Sequence, residues 1–364
     1  MALLGSGRDG QCSKHPPATT EPAPNGHLRT VGPDVPPPAY RIPPPRRNPT
    51  VTQASTPRPA PLRGHVVVGF DGSPGAERAV DLAADEAARR HTTLEVLHAL
   101  EWVEVAGGDD RFGQQLRENA RAIVDRGADR AHARHHDLPV LATVELANAI
   151  DTLEAASDRA ALLVVGSRGM GGFAGLLMGS VSLPVSAAAR CPILVVHPDH
   201  DTAADRPAKP IVVGVSADDC GPALEAAFAQ AAARNLPVHA VHAWRYPASL
   251  AGGLAYAPAV SIIDDWRTMA ETTLATAVKP FREKHPDVPV TEDAVLDTTA
   301  HALVTASADA DLLVLAAHRD TGRFGPNLGR AIHTALHHAH SPILLIPTRN
   351  HPEPDRTPHP GDRH

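Results

Sequence analysis

The chain has 364 residues, 43% of them hydrophobic, with 34 Lys and Arg against 41 Asp and Glu and a formal net charge of −7. Because this charge comes without a dense basic block, it argues against nucleic acid or an anionic membrane as a partner. The three cysteines are too few and too scattered for a disulfide framework, and no apolar run approaches the roughly 20 residues that a bilayer requires.

Proline sets both ends of the chain apart from its middle. Fifteen of the 36 prolines lie in residues 1–62, where few apolar residues accompany them. We therefore predict that residues 1–62 and 348–364 are disordered or partly polyproline II, with a docking tail for an aromatic-lined groove as the alternative for the first segment. The amino terminus lacks the apolar core of a secretory signal, so a cytoplasmic location is expected.

The middle of the chain repeats one series of signals. Residues 65–197 and 210–347 each begin with a short β-branched run and then alternate Ala-rich amphipathic stretches with further apolar runs. An internal repeat of this size predicts two copies of one domain. Residues 198–210, rich in Asp, Ala and Pro, are the predicted linker.

The pattern of apolar residues in each copy predicts five strands and four helices in strict alternation. In the first copy they are, in chain order, His65–Phe70, Glu77–Arg90, Leu94–Leu100, Gln114–His135, Pro139–Glu145, Ala147–Ser157, Leu162–Gly166, Gly179–Arg190 and Pro192–Val196. In the second copy they are Ile211–Val215, Gly221–Arg234, Val238–Trp244, Ile262–Lys284, Pro289–Leu296, Ala300–Ala308, Leu312–Ala316, Gly329–His340 and Pro342–Ile346. Such alternation forms βαβ crossovers. The predicted fold class is α/β, with two tandem doubly wound parallel-sheet domains.

A glycine-rich loop follows the fourth strand of the first copy. It reads Gly166-Ser-Arg-Gly-Met-Gly-Gly-Phe-Ala-Gly-Leu-Leu-Met-Gly-Ser-Val-Ser182, and Gly179 and Ser180 open the helix predicted after it. Glycines let backbone N–H groups approach a polyphosphate, and free amides at a helix start attract anions. The alternative is a flexible loop in which Ser180 is an ordinary N-cap.

An acidic residue follows the first strand of the same copy, in Gly69-Phe-Asp71-Gly-Ser-Pro74. Its carboxylate suits hydrogen bonds from ribose hydroxyls, or a divalent cation that bridges to phosphates, and helix capping is the alternative role. Ligands of doubly wound sheets bind beyond the carboxyl ends of the strands. The two loops together therefore predict a nucleotide site at that edge.

Val66–Ser73 and the Gly166–Ser182 loop closely resemble the nucleotide-binding signature of the universal stress protein family, and residues 65–347 resemble its tandem-domain form. The resemblance implies a Rossmann-like fold of the adenine nucleotide alpha hydrolase-like type. It also implies binding of ATP, usually with Mg²⁺, and a role in stress responses, growth arrest or dormancy.

The same resemblance assigns residues to the ligand. It implies that Gly69 and Asp71 flank the ribose and adenine and that the backbone of Ala99 meets the adenine. The residues that it places around the phosphates are Gly166, Ser167, Arg168, Gly169, Gly172, Gly179, Ser180 and Val181.

The expected function is that of an ATP-binding regulator. Nucleotide occupancy would alter the Met170–Met178 loop and so the binding of a protein partner, which requires ATP to bind the two states differently. A slow ATPase or nucleotide-dependent transferase is one alternative, and a structural interaction module with a vestigial site is another. Because the sequence holds no Walker lysine and no Ser/His/Asp order, nothing beyond weak ATP hydrolysis is expected.

The second copy departs from this pattern. Ser216 stands where the first copy has Asp71, with Asp218 or Asp219 as a partial replacement for the acidic residue. The loop counts as one residue shorter, with Ala317 in place of the first glycine and Asp320 in place of Gly169. A carboxylate beside a triphosphate repels it, although nearby arginines could offset the repulsion. The second copy is therefore predicted to bind ATP weakly or not at all.

The last strands, Pro192–Val196 and Pro342–Ile346, are apolar, and an uncovered apolar edge invites pairing. The family resemblance implies dimerisation through this strand, so the two copies are expected to form an internal pseudo-twofold dimer. Association of two chains into a homodimer stays open.

Three groups of side chains are given ordinary structural roles. His333 and His337 lie four residues apart on a predicted helix, but no Cys or carboxylate completes a metal set, so solvated histidines are preferred. His98 and His242 on buried strands are predicted to be hydrogen-bonded core imidazoles. Cys191 is predicted to be a packed side chain rather than a nucleophile.

Overall fold

The computed structural model describes residues 64–101, 110–169, 178–197, 209–216, 219–246, 259–318, 320–322 and 325–348, all within one compact unit, Pro57–His364. The tails predicted at residues 1–62 and 348–364 lie outside them, except for Thr348. The predicted linker also lies outside, except for residues 209 and 210. The described residues cover most of both copies of the repeat.

The first half alternates strands and helices as the sequence predicts. Its strands are β1 Val66–Gly69, β2 Leu94–Ala99, β3 Val140–Glu145, β4 Leu162–Gly166 and β5 Ile193–Val196. Its helices are α1 Pro74–Arg89, α2 Asp110–Arg134, α3 Ala149–Ser157 and α4 Ser182–Ala188.

The second half repeats this order and adds a short hairpin that the sequence did not predict. Its strands are β6 Ile211–Gly214, β7 Val238–Trp244, β8 Val290–Leu296, β9 Leu312–His318, β10 Asp320–Gly322, β11 Gly325–Asn327 and β12 Ile343–Thr348. Its helices are α5 Gly221–Arg234, α6 Ala259–Lys284, α7 Thr299–Ser307 and α8 Arg330–His338. The hairpin β10–β11 lies in the loop that corresponds to the glycine-rich loop of the first half.

The strands other than the hairpin form one continuous sheet in the order β3-β2-β1-β4-β5-β12-β9-β6-β7-β8. Within each half the neighbours are parallel, and the order reverses direction between the first and fourth strands, which is the doubly wound arrangement. The halves meet where β5 and β12 pair antiparallel, with Leu194 opposite Leu344. The predicted α/β fold class and the predicted pairing of the last strands are both confirmed.

Apolar runs become central strands because both of their faces are covered. In β1, Val66 and Val68 face one layer of helices and Val67 faces the other, and none of the three is exposed. Helices α1, α2, α5 and α6 pack on one face of the sheet, and α3, α4, α7 and α8 pack on the other. A strand with apolar residues at every position is stable only in such a three-layer fold.

Helix boundaries follow capping residues more closely than the periodicity of apolar residues. Helix α1 begins at Pro74 rather than at the predicted Glu77, because the Ser73 hydroxyl accepts a hydrogen bond from the N–H of Ala76 (3.2 Å) and proline suits the first helical position. Helix α4 is shorter than predicted at both ends.

The buried carboxylate of Glu86 connects helix α1 of the first half with helix α5 of the second half. Glu86 of α1 is 2% exposed and accepts hydrogen bonds from Gln230 (3.1 Å) and Arg234 (2.8 Å) of α5. Arg89 (2.6 Å) and Arg90 (3.2 Å) of its own helix also donate to it. Burial by itself raises the pKa of the Glu86 carboxyl, but Arg234 and Arg89 outweigh burial and lower it to about 2.

A second buried carboxylate lies in the first half, near the amino ends of β1 and β2. Glu95 contacts His65 (2.7 Å) and takes a bidentate pair from Arg159, whose Nη2 lies 3.1 Å from Oε1. Burial raises the pKa of the Glu95 carboxyl, and the hydrogen bonds from His65 and Arg159 outweigh it and lower the pKa to about 2. This group lies away from the carboxyl ends of the strands and serves the fold.

The lowered pKa values of Glu86 and Glu95 predict that the fold loses stability in acid. Because each folded-state pKa of about 2 lies below the ordinary value of 4.5, each carboxylate stabilises fully above about pH 4.5 and loses that contribution as the pH falls toward 2. The loss is on the order of 3 kcal/mol per carboxylate. Denaturant unfolding at pH 6, 4.5 and 3 should show wild type converging on Glu95→Gln, which has no carboxylate to protonate there. A constant gap between the two proteins would contradict this.

Candidate functional site

A cavity of about 400 Å³ opens at the carboxyl ends of β1, β2 and β4. These strands are parallel neighbours, so Gly69, Ala99 and Gly166 at their ends reach the same edge of the sheet. The remaining walls come from α3, from the loop after β4 and from the residues that lead into α4. The cavity therefore lies where doubly wound sheets bind their ligands.

Most of the predicted site residues line this cavity, although they come from four separate parts of the sequence. Those that line it are Gly69, Asp71, Ala99, Gly166, Arg168, Gly169, Gly179, Ser180 and Val181. Ser167 is fully buried and does not line the cavity, and Gly172 lies outside the described residues. The fold thus brings the two predicted loops together.

A tight turn holds Asp71 at the end of β1. The N–H of Ser73 donates to Oδ1 of Asp71 (2.9 Å), and Gly72 between them has a φ of +82°, which glycine adopts without strain. The turn is also crowded from outside, because a Cβ at Gly72 would lie 2.8 Å from the guanidinium of Arg126. The Ser73 hydroxyl donates to the carbonyl of Arg168 (3.4 Å) and so ties this turn to the loop after β4.

Gly166 and Gly169 each leave no room for a side chain, but for different structural reasons. A Cβ at Gly169 would collide with Oδ2 of Asp71, so the absence of a side chain lets the aspartate and the loop backbone meet. A Cβ at Gly166 would lie 2.8 to 3.0 Å from the backbone of Gly75 and Ala76. Gly166 is therefore required for close packing against the start of α1, a reason that the sequence did not reveal.

The residues leading into α4 are arranged differently from the prediction. The N–H of Gly179 donates to the carbonyl of Ser167 (2.7 Å), so the free amide predicted at Gly179 is not found. The N–H of Ser167 is also taken, by the carbonyl of Val196 (2.7 Å). The helix begins at Ser182, whose hydroxyl donates to the carbonyl of Gly166 (2.6 Å) and links the helix to the end of β4.

Helix α3 contributes cavity residues that the sequence analysis missed. Ala149, Thr152 and Leu153 line one wall, and Leu97 and Met178 extend its apolar surface. No local motif marks them, because α3 reaches the cavity only through the crossover from β3 to β4. A signal was present nonetheless, since Thr152 is a polar residue on the sheet-facing side of a short helix.

The strand histidines form hydrogen bonds as predicted, but both are half-buried rather than in the core, and His98 lines the cavity. The Nδ1 atom of His98 lies 2.8 Å from the carbonyl oxygen of Phe70, and the Nδ1 atom of His242 lies 2.9 Å from that of Val215. In both halves the imidazole therefore ties the second strand to the residue that follows the first strand. This symmetry supports a structural role rather than a catalytic one.

The sheet register aligns the two phosphate loops differently from the sequence count. Leu162 pairs with the first residue of β1, and Leu312 pairs with the first residue of β6, so the two leucines are equivalent. Counting on from them, Ala316 stands at the position of Gly166, and the two loops are equally long. The prediction of a shorter second loop is wrong.

The error has a physical cause. Strand β9 continues to His318, two residues beyond the point where β4 ends, so residues assigned to the loop belong to the strand. When positions are counted from this register, Arg319 corresponds to Gly169, and Asp320 follows it. Arg319 lies outside the described residues. The predicted repulsion by Asp320 at that position no longer applies, but the glycine is still missing.

The second half also lacks the acidic residue. Ser216 stands at the position of Asp71, one residue beyond the β6 counterpart of Phe70. A cavity of about 650 Å³ adjoins Ser216, but its other walls come from α6 rather than from strand ends. They are Asp265, Thr268, Met269, Thr272, Thr273, Thr276 and Ala277.

Within the described ranges, no three or more His, Cys, Asp or Glu side chains lie together as the ligands of a metal ion would. The rings of His333 and His337 lie 4.6 Å apart, and burial together with His333 lowers the pKa of His337. Among the helices of the same ranges, none has the length and apolar character needed to cross a bilayer.

Comparison with known proteins gives three findings. The model of the universal stress protein family matches residues 63–197 and again residues 207–347. The universal stress protein Rv2005c of Mycobacterium tuberculosis is 31% identical over 296 residues, which cover 78% of this chain and 98% of that protein. The crystal structure of a universal stress protein from Archaeoglobus fulgidus covers 78% of this chain and 98% of its own, with 14% identity and a TM-score of 0.56, a likeness of fold.

Proposed function

The chain belongs to the universal stress protein family, and from that premise we propose that its first half binds ATP and that nucleotide occupancy regulates a cytoplasmic response to stress or dormancy. One observation carries the proposal. The carboxylate of Asp71 and the backbone of Gly169 meet at the rim of a 400 Å³ cavity, which is within the usual size of a small-molecule site.

The residues present suit each part of the ligand. Asp71, held by its turn, would accept hydrogen bonds from ribose hydroxyls, and the apolar wall that includes Ala99 would take the adenine ring. Arg168, Ser180 and Val181 line the part of the cavity next to Gly169 and would receive the phosphates. Mg²⁺ would arrive with the phosphates, since a single carboxylate is no metal site by itself.

The two halves are proposed to have unequal roles. Residues 65–197 would be the nucleotide domain, and residues 210–347 would bind ATP weakly or not at all and serve as its packing partner. The absence of a carboxylate at Ser216, and of glycine at Ala316 and Arg319, the counterparts of Gly166 and Gly169, supports this division. Regulation would pass through the Met170–Met178 segment, where ATP must favour one conformation to alter the binding of a partner protein.

We expect close to one ATP per chain. Protein stripped of nucleotide should bind one equivalent in calorimetry with Mg²⁺ present, and mass spectrometry of the ligand released from unstripped protein should detect an adenine nucleotide. Two equal tight sites would contradict the division between the halves, and no binding would contradict the proposal itself. Steady release of ADP from bound ATP would instead support an ATPase.

A further inference from the structure

One residue of the cavity wall, Thr152, carries a buried hydroxyl that the described residues leave without a hydrogen bond. Thr152 of α3 is 8% exposed, and none of the residues that the structure describes forms a hydrogen bond with its buried hydroxyl. Leaving such a hydroxyl unpaired destabilises the folded protein, because the group loses its hydrogen bonds to water without replacing them. A buried polar group of this kind calls for a partner that the protein alone does not supply.

Other buried hydroxyls in the helices of the first half avoid that cost. Ser157 donates to the carbonyl of Glu154 (2.6 Å), and Ser186 donates to that of Ser182 (2.7 Å). The second half shows that packing does not need the hydroxyl. Its α7 begins after Thr298 as α3 begins after Asn148, and four residues on from the cap it has Ala302, which is 5% exposed.

The surroundings of Thr152 indicate which part of a ligand would reach it. Leu97, Leu153, Val165 and Met178 share this cavity and offer apolar surface. The carboxylate of Asp71 meets Gly169 of the loop after β4, and both residues line the same cavity. An apolar wall with a single hydroxyl suits a flat heteroaromatic ring, whose faces are apolar and whose edge carries acceptors.

We propose that the Thr152 hydroxyl donates a hydrogen bond to an unprotonated ring nitrogen of the nucleobase and so sets the orientation of the base. This rests on the proposed ATP binding. The hydroxyl is closed to solvent in the free protein, and it turns toward the base by rotation about Cα–Cβ, since threonine in a helix uses two rotamers. Thr152 is thus a specificity-determining residue, and Ala302 leaves the second half without one.

The test compares Thr152→Val, which keeps the shape and removes the hydroxyl, with Thr152→Ser, which keeps the hydroxyl. Thr152→Ala is a second variant whose fit is supported by Ala302. Calorimetry with ATP should show about tenfold weaker binding for the Val and Ala variants, the effect of one lost hydrogen bond, and little change for Ser. Without nucleotide, the melting temperature of the Val variant should be equal to or higher than that of wild type, because an unpaired buried hydroxyl is gone.

ATP analogues identify the acceptor. Of 1-deaza-, 3-deaza- and 7-deaza-ATP, one should bind wild type about tenfold more weakly than ATP does, and the Val variant should bind that analogue as well as it binds ATP. ATP affinity within twofold of wild type for the Val variant would overturn this inference and leave the proposed function standing. A lower melting temperature of the free Val variant without loss of affinity would likewise assign Thr152 to the fold. Wild type that binds no ATP would overturn the proposed function itself.

Discussion

Replacing Glu86 by alanine should lower the free energy of unfolding by about 3–5 kcal/mol, the cost of breaking a buried charge pair by removing one partner. Glu86 is 2% exposed and accepts hydrogen bonds from both halves of the protein. Without its carboxylate, Arg89, Arg90 and Arg234 would lose the negative charge that they share, and Arg234 would keep its ion pair with Asp311. Denaturant unfolding at pH 7 measures the loss.

The matched control for this variant is Glu77→Ala on the same helix. Glu77 also pairs with an arginine, Arg130, at 3.4 Å, but its side chain is 44% exposed. An exposed pair contributes about 0–1 kcal/mol, so this variant should unfold nearly as wild type does. Equal losses for the two variants would mean that the contact between α1 and α5 contributes no more than a surface ion pair.

Replacing Asp71 by asparagine should weaken ATP binding by about 100-fold, because hydrogen bonds to a charged group contribute about 1.5–3 kcal/mol. Asparagine keeps an acceptor for the N–H of Ser73, so the turn at Gly72 should persist. The change therefore removes charge with little change of shape. Calorimetry gives the affinity, and the melting temperature of the free variant checks the fold.

Two companion variants test the same carboxylate. Gly169→Ala places a Cβ against Oδ2 of Asp71 and should also weaken ATP binding, because the aspartate must move. Ser216→Ala changes the corresponding position of the second half and should leave the affinity unchanged. If Asp71→Asn bound ATP as tightly as wild type, the assignment of Asp71 to the ribose would be wrong.

Much of the fold was predictable because its signals are local. A strand buried on both faces requires a continuous apolar run. Strands β1 and β6 could therefore be predicted from the runs at Val66–Gly69 and Ile211–Gly214. Boundaries were less predictable where a polar side chain decides them. The Ser73 hydroxyl caps α1, so this helix begins three residues before the predicted start.

The candidate site was predictable only in part. Asp71 and Gly169 belong to motifs, and the parallel sheet brings their loops together as expected. Gly166 was selected as a site of approach to phosphates, and the structure adds a second reason for it, since its missing Cβ makes room for the backbone of α1. Thr152 belongs to no motif, because its place in the cavity depends on where a crossover helix packs.

By itself the sequence determined the repeat, the alternating elements and the family, because each of these depends on patterns that neighbouring residues carry. The tertiary structure decided the alignment of the second phosphate loop, since the pairing of β9 with β6 places Ala316 rather than Ala317 at the position of Gly166. The tertiary structure also decided which polar groups meet, namely Glu86 with Arg234 and Thr152 with the cavity. Such contacts depend on how segments that are distant in sequence pack together, and no local sequence pattern encodes this packing.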